Sequence, residues 1–191
     1  MDNKVQFGLS NAHIAKLTET NGVITYGTPF AVPGSVKLTT SKQGAMVLFR
    51  ADNKDYFKKP INTGYTGSFE IADVPEEMLQ NIFGQTVDSN GAVFENADDN
   101  VSRFALLFEI DGDVKKRRVV FYDCLAERPS IEYETTDRED LRIKTATMDL
   151  TISPRSTDNE VKGTIEPTTE NLAIYNTFFT QVYEKNASAS V

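Results

Sequence analysis

Hydrophobic and polar residues alternate along much of this chain, which is the pattern of β-strands that bury one face. In residues 64–72, Phe69 and Ile71 fall in one phase, while serine and glutamate side chains fall in the other. Residues 103–110 and residues 141–152 show the same alternation. The pattern predicts a mainly β protein whose strands pack one side against a core.

Short turn sequences are predicted to join neighbouring strands into hairpins. The Asn-Gly dipeptide at residues 21–22 separates residues 12–18 from residues 23–26, and this dipeptide favours a tight turn with positive φ angles. The Asp-Gly-Asp sequence at residues 111–113 leads the alternating stretch before it into residues 117–125. Asp and Gly are typical turn residues, so we expect a second hairpin there.

A first helix is predicted over residues 74–83. Asp73 is placed to cap it, Glu76 has the spacing of a capping box, and Pro75 is tolerated in a first turn. Gly84 is expected to end it. The apolar residues that share one helical face are Val74, Met78, Leu79, Ile82 and Phe83.

A C-terminal helix is predicted over residues 169–184, before a small polar tail at residues 186–191. Apolar residues recur there at helical spacing, and most are aromatic. They are Leu172, Tyr175, Phe178, Phe179, Val182 and Tyr183. We expect this stripe to pack against the core rather than to form an exposed docking face.

Two segments interrupt the regular strand pattern. Residues 41–62 combine several lysines with Phe49, Tyr56 and Phe57, and residues 88–100 are rich in Asp, Asn and Gly. We expect both segments to project from the body. Since no repeat or linker divides the chain, residues 1–191 are predicted to form a single domain.

Composition narrows the class of protein. Hydrophobic residues make up 39% of the 191 residues and charged residues 25%, which is typical of a chain that buries a core. No apolar run approaches the ~20 residues of a membrane-spanning helix, and no secretory signal is visible at the N-terminus. The formal net charge of −8 argues against a nucleic-acid-binding protein, which would carry a basic patch.

Candidate chemistry is sparse. His13 is the only histidine and Cys124 the only cysteine, so neither a zinc site nor a disulfide within the chain is expected. The aspartates of residues 98–99 and 111–113 do not complete a calcium loop and are explained by turn chemistry. The sequence therefore predicts no catalytic residue, no cofactor site and no metal site, and an enzyme is not expected.

Several short phrases resemble a known family. They lie along most of the chain and read Asn3-Lys4-Val5-Gln6-Phe7-Gly8-Leu9, Tyr26-Gly27-Thr28-Pro29, Pro33-Gly34-Ser35-Val36, Ala51-Asp52-Asn53, Gly64-Tyr65-Thr66-Gly67-Ser68-Phe69-Glu70-Ile71, Phe104-Ala105-Leu106-Leu107-Phe108-Glu109, Asp111-Gly112-Asp113 and Ala126-Glu127-Arg128-Pro129-Ser130. Together they resemble the major tail protein of bacteriophages with long, non-contractile tails.

This resemblance implies a fold and an assembly. The fold is a tail-tube-type β-sandwich or barrel with a flanking α-helix, a projecting hairpin at about residues 41–62 and the C-terminal helix. Copies are expected to close into rings of six subunits, the arrangement of this family, and the rings are expected to stack into a tube. The implied partners are further copies, the tape-measure protein, the tail terminator and the distal tail protein. DNA passes through without adhering, no membrane is involved, and the tail is assembled in the bacterial host cytoplasm.

Two groups of site residues follow. The candidate subunit contacts are aromatic and basic residues of the projecting segment and of a basic run, namely Phe49, Lys54, Tyr56, Phe57, Lys58, Arg117 and Arg118. The candidate lumen-facing residues are polar residues of two alternating strands, namely Thr66, Ser68, Glu70, Thr145, Thr147 and Asp149. The basic run at residues 115–118 could also be a charged strand edge that blocks wrong pairing.

Other functions remain open at this stage. A tail terminator or a secretion-type tube protein would have the same kind of β-sheet and would also form rings. A soluble β-sandwich binding module would usually carry exposed Trp or Tyr residues on a platform, and this chain has no Trp. Filaments, single rings or a stable monomer of the purified protein would separate these alternatives.

Overall fold

The computed structural model describes residues 8–135 and 144–185. Three predicted features fall outside these ranges: residues 3–7 of the first phrase, residues 141–143 of the predicted long strand, and the tail at residues 186–191.

The described part of the chain is mainly β, as predicted. The strands are β1 (Leu9–Thr20), β2 (Val23–Tyr26), β3 (Phe30–Ala31), β4 (Ser35–Ala51), β5 (Lys54–Ile71), β6 (Thr86–Val87), β7 (Val93–Phe94), β8 (Phe104–Ile110), β9 (Arg118–Ala126), β10 (Ser130–Ile131), β11 (Ala146–Ser153) and β12 (Lys162–Ile165). The helices are α1 (Glu76–Asn81) and α2 (Leu172–Asn176).

One large antiparallel sheet forms the body of the protein. Its strands follow the order β2-β1-β8-β9-β11-β5-β4, with β3 beside β1, β12 beside β9 and β10 beside β11. β6 and β7 form a separate two-stranded sheet. Among the described residues the large sheet does not close on itself, and the outer edge of β4 has no strand partner.

Both predicted hairpins are present. β1 and β2 are joined by Asn21 and Gly22, whose φ angles are +52° and +77°, as a tight hairpin turn of this kind requires. β8 and β9 are joined by residues 111–117. In that turn the carboxylate of Asp113 accepts the backbone N–H of Lys115 at 3.1 Å, so the aspartate organises the turn itself.

The main core lies on one face of the sheet and under α1. Large side chains from β5, β8 and β11, including Phe69, Phe104 and Leu150, are buried there. Met78 and Ile82 of the helical segment pack into the same cluster. The apolar face predicted for this helix is confirmed by this burial, with Leu79 only partly buried beside it.

A second core covers the opposite face of β1, β8 and β9. Ala15, Leu107 and Val120 project there, and Phe178 and Val182 of the C-terminal segment pack on them. The C-terminal apolar stripe is therefore core, as predicted. These three strands are buried on both faces, which explains why β8 reads as a nearly continuous apolar run.

The predicted cap of the first helix is wrong. α1 has no side-chain cap, and Pro75, with ψ 141°, stands at its N-cap position. Because Pro75 separates Asp73 from the first turn, the Asp73 carboxylate accepts the N–H of Val74 at 2.9 Å instead. The side chain of Glu76 accepts a hydrogen bond from Gln80 at 2.8 Å and does not reach back to the cap.

The C-terminal helix is much shorter than the predicted residues 169–184. α2 ends at Asn176, and turns follow it. The hydroxyl of Thr177 donates to the carbonyl of Ala173 at 3.2 Å, and the guanidinium of Arg118 takes the carbonyl of Tyr175. The Tyr175 carbonyl also accepts the N–H of Phe178 at 3.3 Å, which is an i→i+3 turn bond and not the i→i+4 bond of a continued α-helix.

Candidate assembly interface

The most exposed element of the described chain is the paired tip of β4 and β5. We call residues 44–62 the arm. Gly44 pairs with Asn62 at its base, and Asp52 and Asn53 turn the chain at its tip with φ angles of +51° and +59°. The projecting hairpin predicted from the resemblance is thus present.

The arm stands away from both cores. All of its residues are exposed except Ala51, which is half-buried. At ~3.3 Å per residue, the eight residues from Gly44 to Ala51 span about 25 Å. A two-stranded ribbon of this kind is only marginally stable in water without a covering layer. The arm therefore has the character of an element that becomes stable on a partner.

The arm exposes large apolar side chains on both of its faces. Phe49 lies opposite Phe57, with 58% and 52% of their surfaces exposed, and Tyr56 beside them is 74% exposed. Met46 and Leu48, on the other face, are also exposed. Contiguous apolar surface of this kind is uncommon on a monomer and marks an interaction site.

The arm is also basic. It carries Arg50, Lys54, Lys58 and Lys59 against two acids. Arg50 and Lys58 both pair with Asp55 at 2.9 Å, and their hydrogen bonds lower the pKa of that carboxyl. Within the described part of the chain, Lys54 and Lys59 form no ion pair, so their charge is available to a partner.

The predicted subunit-contact residues fall into two separate places. Phe49, Lys54, Tyr56, Phe57 and Lys58 lie together near the arm tip. Their contact with another subunit stays a prediction, because the structure contains one copy of the chain.

The two predicted arginines serve contacts within the chain. The Arg117 Nε donates to Asp113 at 2.5 Å inside the β8–β9 turn. Arg118 pairs with Glu109 at 3.3 Å and stacks on the ring of Tyr175 at 3.9 Å. Arg118 thus holds the C-terminal segment on the sheet, and a role of either arginine between subunits stays a prediction.

A polar face forms where β5 and β11 run side by side. Glu70 lies opposite Thr147, and Ser68 lies opposite Asp149. Directly opposite residues of antiparallel strands project to the same side of a sheet. Because the alternate residue Phe69 is buried in the main core, these four polar side chains point away from it.

All six predicted lumen-facing residues share this polar face. Thr66 lies opposite Thr151, in phase with the other pairs. Thr145 precedes β11, and its hydroxyl donates to the carboxylate of Glu70 at 2.7 Å. The structure therefore brings the six residues together, and whether they line a bore stays a prediction.

Sequence analysis missed that β4 extends the polar face. Lys37, Thr39 and Ser41 lie opposite Glu70, Ser68 and Thr66 of β5. The signal was present, since these residues alternate with others at a period of two in residues 35–43. The alternation is weak, because the segment contains few large apolar residues to set against the polar ones.

The remaining candidate groups have structural roles. The Nδ1 atom of His13 lies 3.0 Å from the Asn11 carbonyl, and its ring packs 4.7 Å from that of Phe179. Cys124 is fully buried, and burial raises the pKa of its thiol. Within residues 8–135 and 144–185, no three His, Cys, Asp or Glu residues are grouped as metal ligands. No described helix is long and apolar enough to cross a membrane.

Comparisons with known proteins found distant structural likenesses only. No protein-family model and no curated protein sequence matches this chain. The chain is similar to the cap that terminates the tube of the anti-feeding prophage, with TM-score 0.45 and 9% identity over 87% of this chain and 97% of that one. It is also similar to a chain of the anti-feeding prophage baseplate, with TM-score 0.41 and 9% identity over 83% of this chain and 95% of that one. Likeness at this level assigns neither a family nor a function.

Proposed function

We propose that this chain is a structural subunit of a phage-type tail, and that its copies form rings which stack into the tail tube. The observation that supports this most is the arm, which exposes aromatic and aliphatic side chains on both faces without cover from the rest of the described residues. The sequence phrases that resemble major tail proteins point in the same direction.

The open edge of the sheet supports self-assembly. β4 offers unpaired backbone groups along its outer side within the described residues. An uncovered edge is a template for pairing with another chain, and closure with identical copies removes it. In the proposed ring, this edge meets a neighbouring subunit.

The polar face supplies a surface suited to a DNA conduit. It carries hydroxyl groups together with the carboxylates of Glu70 and Asp149, and only Lys37 adds a positive charge among its paired residues. Acidic walls repel DNA phosphates, and the effect acts within the Debye length of ~10 Å at 0.1 M salt. We propose that this face lines the bore, so that DNA passes without adhering.

The proposed function also implies which proteins this chain would contact. They are further copies of this chain, the tape-measure protein during growth, and the terminator and distal tail proteins at the ends of the tube. No enzymatic step is part of the proposal. The assembled protein would reside in the virion tail after assembly in the host cytoplasm.

Deletion of the arm tests the proposal. Gln43 pairs with Gly64 at the arm base, so a two-residue Asn-Gly turn can replace residues 44–63 without moving the strands of the body. We expect the shortened protein to keep its thermal unfolding temperature within a few degrees, since the arm contributes nothing to either core. We expect it to form no tubes in negative-stain electron microscopy at concentrations where the intact protein does.

The outcomes separate the alternatives. Tubes of the intact protein that vanish on deletion support the proposal, and tubes that persist without the arm contradict the arm's role. Single rings of the intact protein at every concentration would favour a tail terminator. A protein that stays monomeric at all concentrations would favour a soluble binding module.

A further inference from the structure

We propose that residues 85–100 of one copy are the surface that receives the arm of the next copy along the tube. We call residues 85–100, which contain β6 and β7, the acidic loop. The inference rests on the proposed function and names the surface that receives the arm.

Charge separates the arm from the rest of the molecule. Residues 41–62 contain five cations, including Lys42, and two acids, so they carry a formal +3. The whole chain carries −8, so the remainder carries −11. A basic element on an acidic body is attracted to the body of another copy, and such complementarity guides both encounter and orientation.

The acidic loop complements the arm in charge. It contains Asp88, Glu95, Asp98 and Asp99 and no Lys or Arg. Glu95 pairs with Arg128 at 2.5 Å, whereas the other three carboxylates form no ion pair with any described residue. Other acids at the surface, such as those at residues 158–166, already pair with lysine or arginine.

The acidic loop also exposes apolar surface. Val93 and Phe94 form β7 and are 40% and 56% exposed. The arm therefore meets two matching features in one place: apolar side chains for its aromatic residues, and uncompensated carboxylates for its lysines. Burial of the apolar groups would supply affinity, and the charges would supply orientation.

The two surfaces lie toward opposite ends of the body. The arm leaves β5 at its Gly64 end, beyond the pairing of Tyr65 with Ile152. The chain enters α1 and the acidic loop after Ile71, at the other end of the same strand. Arg128 holds the loop from a position before β10, which pairs with the Ala146 end of β11.

This placement has a consequence for assembly. A contact between opposite ends of identical molecules is head-to-tail. A stack of copies joined in this way has an unoccupied arm at one end and an unoccupied acidic loop at the other, so growth continues. The arm's length of about 25 Å allows it to reach past its own body. Ring stacking follows directly from this geometry.

Two variants test the contact. An arm variant, Lys54→Glu with Lys59→Glu, changes the two lysines that form no ion pair. A loop variant, Ala97→Lys with Asp98→Lys, changes two exposed positions whose side chains hold no loop hydrogen bond. We expect each variant to raise the protein concentration needed for half-maximal tube formation by about tenfold or more, because like charges then meet across the contact. Lys16→Glu, at an exposed position outside both surfaces, is the control, and this variant should assemble as the intact protein does.

Mixing the variants gives a sharper result. The intact basic arm of the loop variant can bind the intact acidic loop of the arm variant, and the acidic arm of the arm variant can bind the added lysines of the loop variant, so both contacts pair opposite charges. We expect the mixture to form tubes again, in sedimentation velocity and electron microscopy, at concentrations where the intact protein does. Neither variant alone should form tubes at those concentrations, and circular dichroism should show that both remain folded.

The failures are distinguishable. If the intact protein forms tubes and the loop variant forms them equally well, the acidic loop is not the receiving surface while the proposed function stands. The same conclusion follows if the mixture of the two variants forms no more tubes than either variant alone. If the intact protein forms neither rings nor tubes, the proposed function itself fails.

Discussion

Arg155 is a buried arginine that fastens the C-terminal segment to the sheet. Its Nε donates to Asp158 at 2.9 Å, and its Nη1 donates to Glu184 at 2.7 Å. The guanidinium also lies 4.6 Å from the ring centre of Tyr122 on β9. The hydrogen bond to Asp158 raises the pKa of Arg155, and the same bond lowers the pKa of the aspartate.

We expect Arg155→Ala to lower the free energy of unfolding by about 2–3 kcal/mol, because it removes charge-assisted hydrogen bonds from a buried position. Urea unfolding at pH 7 measures this change. Arg50→Ala is the matched control: the Arg50–Asp55 pair is exposed, so its loss should cost under about 1 kcal/mol. Equal effects of the two substitutions would contradict the anchoring role of Arg155.

Two tyrosines beside this arginine are predicted to make the fold sensitive to alkali. The hydroxyl of Tyr26 donates to the carbonyl of Tyr122 at 3.1 Å, and that of Tyr122 donates to the carbonyl of Tyr183 at 3.0 Å. Burial raises the pKa of both tyrosines from 10.0 to about 12. The folded state therefore keeps these protons over a pH range in which the unfolded chain loses them.

The sign of the pH effect follows from proton counts. Between pH 10 and about 12 the unfolded chain binds fewer protons than the folded one, so stability is fully present below pH 10 and falls as pH rises through this range. Urea midpoints measured at several pH values across the range should decrease accordingly. The double variant Tyr26→Phe with Tyr122→Phe should show a flatter profile, and an unchanged slope would contradict the assignment.

At the scale of elements, α1 joins the core through one strongly buried residue. Met78 is fully buried, whereas its neighbour Leu79 is only partly buried. We expect Met78→Ala to cost about 2–5 kcal/mol of unfolding free energy, since it leaves a cavity. Leu79→Ala is the control on the same turn and should cost less than half as much. Equal costs in chemical unfolding would show that both side chains are core.

The C-terminal segment shows how tertiary contacts overrule a helical pattern. Its apolar spacing predicted burial of Phe178 correctly, since that ring lies in the second core. The same spacing predicted a long helix incorrectly, because the carbonyl of Tyr175 accepts Arg118 and the N–H of Phe178, a tighter turn than the α-helical bond. The buried face was readable because it depends on spacing, whereas the helix length depends on a residue 57 positions away.

At the scale of the molecule, the sheet has two regions with different cover. β1, β8 and β9 are enclosed by the main core on one face and by the C-terminal segment on the other. Outside the arm, β11, β5 and β4 have the main core on one face and the polar face on the other. The uncovered region is the part that the proposed function assigns to the bore.

Adding positive charge to the polar face tests that assignment. We expect Thr147→Lys with Asp149→Lys to leave tube formation intact, because both positions are exposed, and to make the tubes retain DNA. Retention should weaken steeply as salt rises from about 50 to 200 mM, as phosphate contacts do. Filter retention of labelled DNA measures it.

The control places the same charge change on another surface. Thr169→Lys with Glu170→Lys adds equal charge near α2, where both positions are exposed. We expect tubes of this variant to retain no more labelled DNA than tubes of the intact protein. If instead both variants retain DNA equally, the polar face is not the lining of the bore.

The sequence by itself determined the strands at residues 12–18, 23–26, 64–72, 103–110 and 117–125, two turns and the polar phase of β5 and β11. These features depend on neighbours at a period of two or on dipeptides such as the Asn-Gly at residues 21–22, so local chemistry suffices. Tertiary structure alone decided that the polar phases of β4, β5 and β11 form one face. It also decided that Arg118 acts within the chain and that the arm and the acidic loop lie at opposite ends of the body. Those facts depend on strand order and register, which are set by contacts between residues far apart in sequence.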